Sequence, residues 1–459
     1  MSRFLLRSFF PLFLFCISIQ VVRPESITYD EIRYSHVGRD PGYAVVVGCG
    51  KYVTEANVRE MAFGTYVTEI YTTAFEQHTF LKTVTLPSKL KVIQASAFHG
   101  CSNLRSIVLP DKVVSIGSMA FRDCNRLTSV HLPLFLKQIG DHAFSNCGNL
   151  KTLIIRDSVY AIGDYAFFRC IGLTSLHINA NVTSFGNNVF EYCYNLETVT
   201  MAPVVSTIGD YAFNGCVKID SLDLPTNLKT IGKYAFNECS GLRHLKFSYS
   251  LGAIKAHAFE KCTSLTSVEM PPYMYSFGEY VFAGCTNLDT VIFSESSVNV
   301  SIGAHAFDGC TSLRSVTLHD NNFRIYEGAF KGCVSLPKFT IPSTVERIEA
   351  SAFEGCTSLD SVTCLVEEPY AFGKDAFKNI SPKCVLTVPY GKRAAYIAKG
   401  WTTKIFKGGI VELPAPEGIQ AVRVDKVDKG TYYDLEGREI TNPEKGRIYI
   451  RAGRKVLVK

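Results

Sequence analysis

The chain has 459 residues, a formal net charge of +6 and 47% hydrophobic residues, with 16 cysteines. Its Lys and Arg residues are scattered rather than gathered into a stripe, so nothing marks nucleic acid as a partner. Its apolar residues recur at short intervals instead of in long runs. That argues for an extended, well-buried core and against a protein of several membrane spans.

Arg3 and Arg7 precede the chain's one long apolar run, Phe9 to Ile19. A charged start followed by a short apolar stretch predicts a secretory signal peptide, placed at residues 1–23. The run is too short and interrupted for a comfortable span, which needs about 20 apolar residues. Two alternatives stay open. One is a lipid anchor on Cys16, although Phe15 is bulky where such signals carry a small residue; the other is an uncleaved anchor. Residues 24–68 follow, with Tyr43-Ala44-Val45-Val46-Val47 as a strand candidate, and read as an N-terminal cap.

The body of the chain is periodic. Cys101, Cys124, Cys147, Cys170, Cys193, Cys216, Cys239, Cys262, Cys285, Cys310, Cys333 and Cys356 are spaced 23 residues apart, except for one step of 25 between Cys285 and Cys310. A fixed period of this size predicts a solenoid, in which each repeat folds against its neighbours. Within one unit, Leu127, Val130 and Leu132 give a short strand with one buried face, which Pro133 ends. Ala143, Phe144, Cys147 and Leu150 have helical spacing and predict a helical turn or short helix on the opposite side of the coil. Asp141, Asp164 and Asp210 stand just before that segment, where a carboxylate can cap free N–H groups. Phenylalanines in the register of Phe144 run from Phe75 to Phe377, fourteen in all, and predict about 14 repeats over residues 69–388.

Equivalent residues in stacked repeats lie about 4.8 Å apart with parallel side chains. A disulfide needs two Cβ atoms that face each other. The cysteine ladder therefore predicts buried free thiols that fill the core. The glycine four residues before Phe is replaced by Tyr71, Gln94, Lys255, Tyr326 and Glu349, so positive φ is not obligatory there. The redox states of Cys49, Cys364 and Cys384 are left open.

The string I-G-x-x-A-F-x-x-C-x-x-L-x-x-V-x-L-P resembles the consensus of the BspA-like, or Treponema-type, leucine-rich repeats, over about two thirds of the chain. The resemblance implies an α/β leucine-rich repeat solenoid, curved and right-handed, with a parallel sheet on the concave face and short helical turns on the other. It also implies surface-displayed or secreted proteins that attach to host matrix or to other cells. Residues 389–412, with Trp401, resemble the family's terminal segment and read as the C-terminal cap. Pro414-Ala415-Pro416 reads as a linker into a small β module at 413–459. Its Tyr433-Asp434-Leu435-Glu436-Gly437-Arg438 string resembles the C-terminal module of exported Bacteroidetes proteins, a sorting signal in some relatives. The module is basic, and association with anionic envelope polymers is open.

A search for chemistry finds no phosphate-binding loop, His-Glu-x-x-His helix, nucleophile elbow or Cys-x-x-Cys pair. No enzymatic activity, metal or cofactor is expected. His142, His257 and His305 share one repeat position and read as structural. The strands should instead present two outward columns. One runs through Thr85, Val108, His131, Ile154, His177, Thr200, Asp223, Lys246 and Glu269; its neighbour is nearly all Ser and Thr, with His244 an exception. His131, His177, Asp223, His244, Lys246 and Glu269 are the candidate binding residues on the concave face. His131 and His177 are two repeats apart, too far to share a metal. The expected function is an exported or cell-surface protein that binds a macromolecule, a protein or glycan on host or neighbouring cells. A non-binding spacer of the envelope is the alternative and a secreted hydrolase a remote one. The ligand and the oligomeric state are not legible.

Overall fold

The computed structural model describes residues 26–38, 42–179, 181–295, 300–320 and 322–415, and within the C-terminal segment 419–422, 432–434, 438–441, 444, 447–451 and 454–458. The expected signal peptide and Cys16 lie outside the described residues. The chain divides into two compact units, meeting in sequence at Thr263 and Ser264.

Most repeats contribute two strands, so two sets of parallel ladders run through each unit. In the first unit the longer strands include Thr83–Thr85, Ser106–Val108 and Ser129–His131, then Thr152–Ile155, Ser175–Ile178 and Thr198–Met201, and Ser221–Asp223 beside His244–Lys246. The shorter strands have two residues, as in Val92–Ile93, Ser115–Ile116, Gln138–Ile139 and Ala161–Ile162. Register follows the sequence period: Ser106 pairs with Ser129, and Leu153 with Leu176 and then Val199. The second unit repeats the plan with Ser267–Met270, Thr290–Phe293 and Ser315–Thr317, then Lys338–Ile341, Ser361–Cys364, Val385–Val388 and Gly409–Glu412. The two extra residues of the 25-residue step fall between Phe293 and Ile302. Thr290 still pairs with Ser315, and the short-strand register shifts between Val300 and Ile302.

The segment around each phenylalanine is built of turns; the one α-helix among the described residues is Arg393–Ala398. Here the spacing of Ala143, Phe144, Cys147 and Leu150 reflects burial on one side of a turn. The residue two before Phe is left-handed in all fourteen repeats, from Thr73 to Asp375, with φ between 53° and 60°. The residue two after Phe, from Gln77 to Asn379, is left-handed as well. Such a conformation costs an L residue about 1–2 kcal/mol. It persists because it aims the N–H groups at positions −2, 0 and +2 along the stack. Met119, Phe121 and Asp123 donate to the carbonyls of Asp141, Ala143 and Ser145 at 2.8, 2.7 and 2.9 Å. Three such bonds at about 1 kcal/mol each offset most of the strain, and burial of the ring supplies the rest.

The predicted aspartate caps exist, but they cap the next repeat. Asp141 Oδ1 accepts the N–H of Asp164 at 3.0 Å, and Asp210 Oδ1 that of Lys233 at 2.8 Å. The recurrent glycine has a steric reason rather than a dihedral one. A Cβ on Gly140 would lie 2.5 Å from Ser118 N in the preceding repeat.

The core is two side-chain rows. In the first unit the rings from Phe75 to Phe259 stack with centroids 4.9 Å apart at Phe75–Phe98 and up to 5.5 Å at Phe167–Phe190. In the second unit Phe282 to Phe377 stack likewise, and Phe377 then meets Phe406 at 5.2 Å and Trp401 at 5.6 Å. Trp401 is buried and its indole N–H donates to Tyr370 O at 2.8 Å. At the start of the first unit, Ser26–Tyr29, Ile32–Val37 and Tyr43–Cys49 form an antiparallel meander that joins the short-strand sheet through Thr65–Ile70. Asp30 and Glu31, both at positive φ, make the two-residue turn whose twist suits a hairpin. The C-terminal strands form a separate, mostly antiparallel sheet around Tyr432, Tyr449 and Val456.

Candidate functional site

All twelve ladder cysteines are buried free thiols. At least eleven donate S–H to the carbonyl of the preceding repeat's phenylalanine, as in Cys101 to Phe75 O at 3.0 Å and Cys216 to Phe190 O at 3.2 Å. The thiol row is thus a line of weak donors as well as filler, a role that cysteine's usual apolar behaviour hid in the sequence. Burial pushes the Cys170 and Cys239 thiols up to about 12. These groups stay protonated and lack the lowered pKa of a nucleophile. Cys364 and Cys384 are also buried and free, and Cys49 is a half-buried free thiol.

The histidines read as structural are held in the turns. His257 stacks on Tyr234 at 4.3 Å and pairs with Glu260 at 2.7 Å; His305 stacks on Tyr280 at 4.6 Å and pairs with Asp308 at 2.8 Å. His142 stacks on Tyr165 at 4.7 Å, and desolvation lowers its pKa. No group of three or more His, Cys, Asp or Glu side chains among the described residues could hold a metal ion.

The outward columns lie where strand alternation puts them. On each long strand the central residue is turned inward and its two neighbours face outward, so Ile107 is buried between exposed Ser106 and Val108. His131 and His244 are exposed, the latter paired in register with Ser221. Asp223 and Lys246 oppose each other in register, and their charges offset one another. His177 is half-buried, and its Nδ1 lies 2.9 Å from Thr200 Oγ1 on the next strand. Glu269, in the second unit, is exposed and pairs with Ile292. The six candidates are therefore not one cluster: Ile154 separates His131 from His177 in the column, and Glu269 belongs to the other unit.

A patch missed by the sequence reading adjoins His131. The residue preceding each long strand forms its own column, linked by the bonds Arg105 N to Lys82 O, Thr128 N to Arg105 O and Lys151 N to Thr128 O at 3.1–3.2 Å. Lys82, Arg105 and Lys151 are exposed and have no ion pair among the described residues. At the equivalent position of later repeats the charges are paired, with Arg243 on Asp220 at 3.4 Å in the first unit and Arg314 on Asp289 at 3.0 Å in the second. Arg156 adds an exposed cation whose Nε donates to Leu132 O. Val108 is 75% and Ile154 45% exposed beside His131. A shallow groove of about 170 Å³ runs between His131, Lys151, Ile154 and Arg156. The signal was present in the sequence as four cations, but whether each had a partner depended on register across repeats.

A pattern described as BspA type leucine rich repeat region matches the chain in six copies, over residues 51–173, 91–220, 206–301 and 276–390. The chain belongs to the BspA-type leucine-rich repeat family. Among solved structures, this BspA-type chain is similar to a leucine-rich repeat protein from Bacteroides ovatus, with 27% identity and a TM-score of 0.71 over 84% of this chain and all of that one. It is also similar to a leucine-rich cell surface protein from Faecalibacterium prausnitzii, at 22% identity and a TM-score of 0.43 over 82% of this chain and 97% of that one. The pneumococcal vaccine antigen PcpA matches at 18% identity and a TM-score of 0.42, over 85% of this chain and 99% of that one. No curated protein matches the chain.

Proposed function

We propose that this BspA-type protein is an exported, cell-surface scaffold without catalytic activity. It binds a macromolecular partner, a protein or glycan of a host or neighbouring cell, through the outward columns of its long-strand ladder. The supporting observation is the run of cations Lys82, Arg105 and Lys151, without an ion pair among the described residues, beside His131, Val108 and Ile154, held in register by backbone bonds between repeats. A preordered surface loses little entropy on binding, so many modest contacts add up. Unpaired cations next to exposed apolar side chains suit an acidic partner with some apolar surface. The balanced Asp223 and Lys246 pair offers less net attraction.

The test is immobilised-ligand binding of the full chain to a panel of matrix proteins and acidic and neutral glycans. The triple reversal Lys82→Glu, Arg105→Glu and Lys151→Glu is expected to lower affinity for the bound partner at least tenfold. The pair Asp223→Lys and Lys246→Glu, which keeps net charge, is expected to change it less than threefold. The opposite ranking would move the site to the Asp223 region, and no binding by the native protein to any surface would favour a spacer.

A further inference from the structure

The turn ladder of the second unit ends with three donors that have no acceptor among the described residues. In each repeat before the end, the N–H groups two before Phe, at Phe and two after it bond to the next repeat. Gly328, Phe330 and Gly332 donate to Ala350, Ala352 and Glu354, and Ser351, Phe353 and Gly355 donate to Lys374, Ala376 and Lys378, at 2.7–3.0 Å. The last turn carries the same geometry, with Asp375 and Asn379 both left-handed at φ 57° and 58°. Yet the N–H groups of Asp375, Phe377 and Asn379 meet no acceptor among the described residues.

The reason is a change of chain path. After Phe377 the chain makes the helix Arg393–Ala398 and the turn at residues 402–407 instead of another repeat. Phe406 covers the last ring, tilted by 59° to Phe377 with centroids 5.2 Å apart. No carbonyl of that turn takes the next place in the hydrogen-bond ladder. What stands there is a hollow of about 570 Å³, lined by Asp375, Phe377, Asn379, Ser381, Lys404 and Lys407 among others. Lys404 and Lys407 are exposed and make no ion pair among the described residues. The Asp375 carboxylate also lines the hollow, but Lys378 Nζ lies 3.5 Å from it and offsets it. The rim therefore carries the two lysine charges over a floor of aligned backbone donors.

We propose that this hollow binds an oxyanion: a carboxylate, phosphate or sulfate group on a larger ligand. Backbone N–H groups presented by a turn make an anion-binding concavity, and such groups lose a hydrogen bond's worth of free energy if they are covered without an acceptor. The ladder has fixed their direction, so an oxyanion meets them without reorganising the backbone. Lys404 and Lys407 supply attraction and leave the orientation to the N–H row. The site is independent of the strand columns and lies on a different side of the repeat.

The test uses the full chain and three probes at matched ionic strength: inorganic phosphate, sulfate and acetate, with chloride as the control. Hydrogen–deuterium exchange of the segment 373–381 is followed with each, and affinity by calorimetry. At least one probe is expected to slow exchange of Asp375, Phe377 and Asn379 fivefold or more while the turn at 350–356 is unchanged. The probe that does so names the class of oxyanion. The variant Lys404→Glu, Lys407→Glu is expected to weaken that binding at least tenfold with an unaltered melting temperature. Equal effects of every anion including chloride, or an unchanged affinity in the double variant, would overturn the proposal. Slow exchange with no probe present would overturn it too, since it would mean that the chain's own C-terminal segment or a second copy already fills the row.

Discussion

Replacing Phe377 by Ala tests the stacked-core account at its last ring. Phe377 is 4% exposed and touches four other rings: Phe353 at 5.2 Å, Phe372 at 5.2 Å, Phe406 at 5.2 Å and Trp401 at 5.6 Å. A buried aromatic removes about 150–250 Å² from water, which at about 25 cal/mol per Å² gives an upper value of about 4–6 kcal/mol. Core Phe→Ala changes cost about 3–5 kcal/mol, and this site should fall in that range because the ring is walled on several sides and cannot easily be replaced by relaxation. Trp401 is the only tryptophan, so its fluorescence in a urea titration reports this end of the molecule. The fluorescence transition is expected to lose about 3–5 kcal/mol with its slope unchanged. Phe98→Ala removes an equally buried ring from the first unit and is expected to move the far-ultraviolet dichroism transition more than the Trp401 transition, since repeats couple chiefly to their neighbours. A loss below about 1 kcal/mol for Phe377→Ala would refute the packing argument. Identical shifts of both probes in Phe98→Ala would refute the nearest-neighbour argument.

The thiol ladder predicts an alkaline limit. Folded thiols such as Cys170 and Cys356 are pushed up to about 12 by burial, against about 8.5 in an unfolded chain. The stability from keeping them neutral is complete below about pH 8.5 and is lost toward pH 12, on the order of 1 kcal/mol per thiol per pH unit. Summed along the ladder, this predicts cooperative unfolding between about pH 9 and 11, seen by dichroism; a chain still folded at about pH 11.5 would contradict it. A thiol reagent at neutral pH is expected to leave the twelve ladder cysteines unmodified in the native protein and to label all of them in denaturant without reductant. Recovery of only a few thiols would mean disulfides. Two glycines separate two roles. Gly332→Ala, at φ 70° with its nearest neighbour, the Gly309 backbone, at an ordinary contact distance of 3.7 Å from the added Cβ, is expected to cost about 1 kcal/mol, whereas Gly163→Ala, whose Cβ would sit 2.6 Å from Asp141 N, is expected to cost at least about 2 kcal/mol; equal losses in urea titrations would refute the distinction.

The period of 23 residues determined much of this protein by itself. A strict repeat admits stacking with identical side chains in contact, so the Phe row, the Cys row, the free thiols and the outward Ser and Thr column follow from spacing and strand alternation. The turn segment was decided by tertiary structure. Ala143, Phe144, Cys147 and Leu150 carry a helical spacing, but the N–H groups there bond to the next repeat, and no local pattern distinguishes a partner 22 residues away from one four residues away. The same limit hid the thiol donors, the Asp141 and Asp210 caps aimed at the next repeat, and the reason for Gly140. It also governs the candidate sites. Lys82, Arg105 and Lys151 are unremarkable cations until register shows that no acid pairs with them among the described residues, and Asp223 and Lys246 look like a selective patch until register sets them opposite each other. The free N–H row at Asp375, Phe377 and Asn379 depends on what the chain does after the last repeat. Sequence periodicity fixes what each repeat offers to a neighbour; only the stacked structure decides whether a neighbour is there to take it.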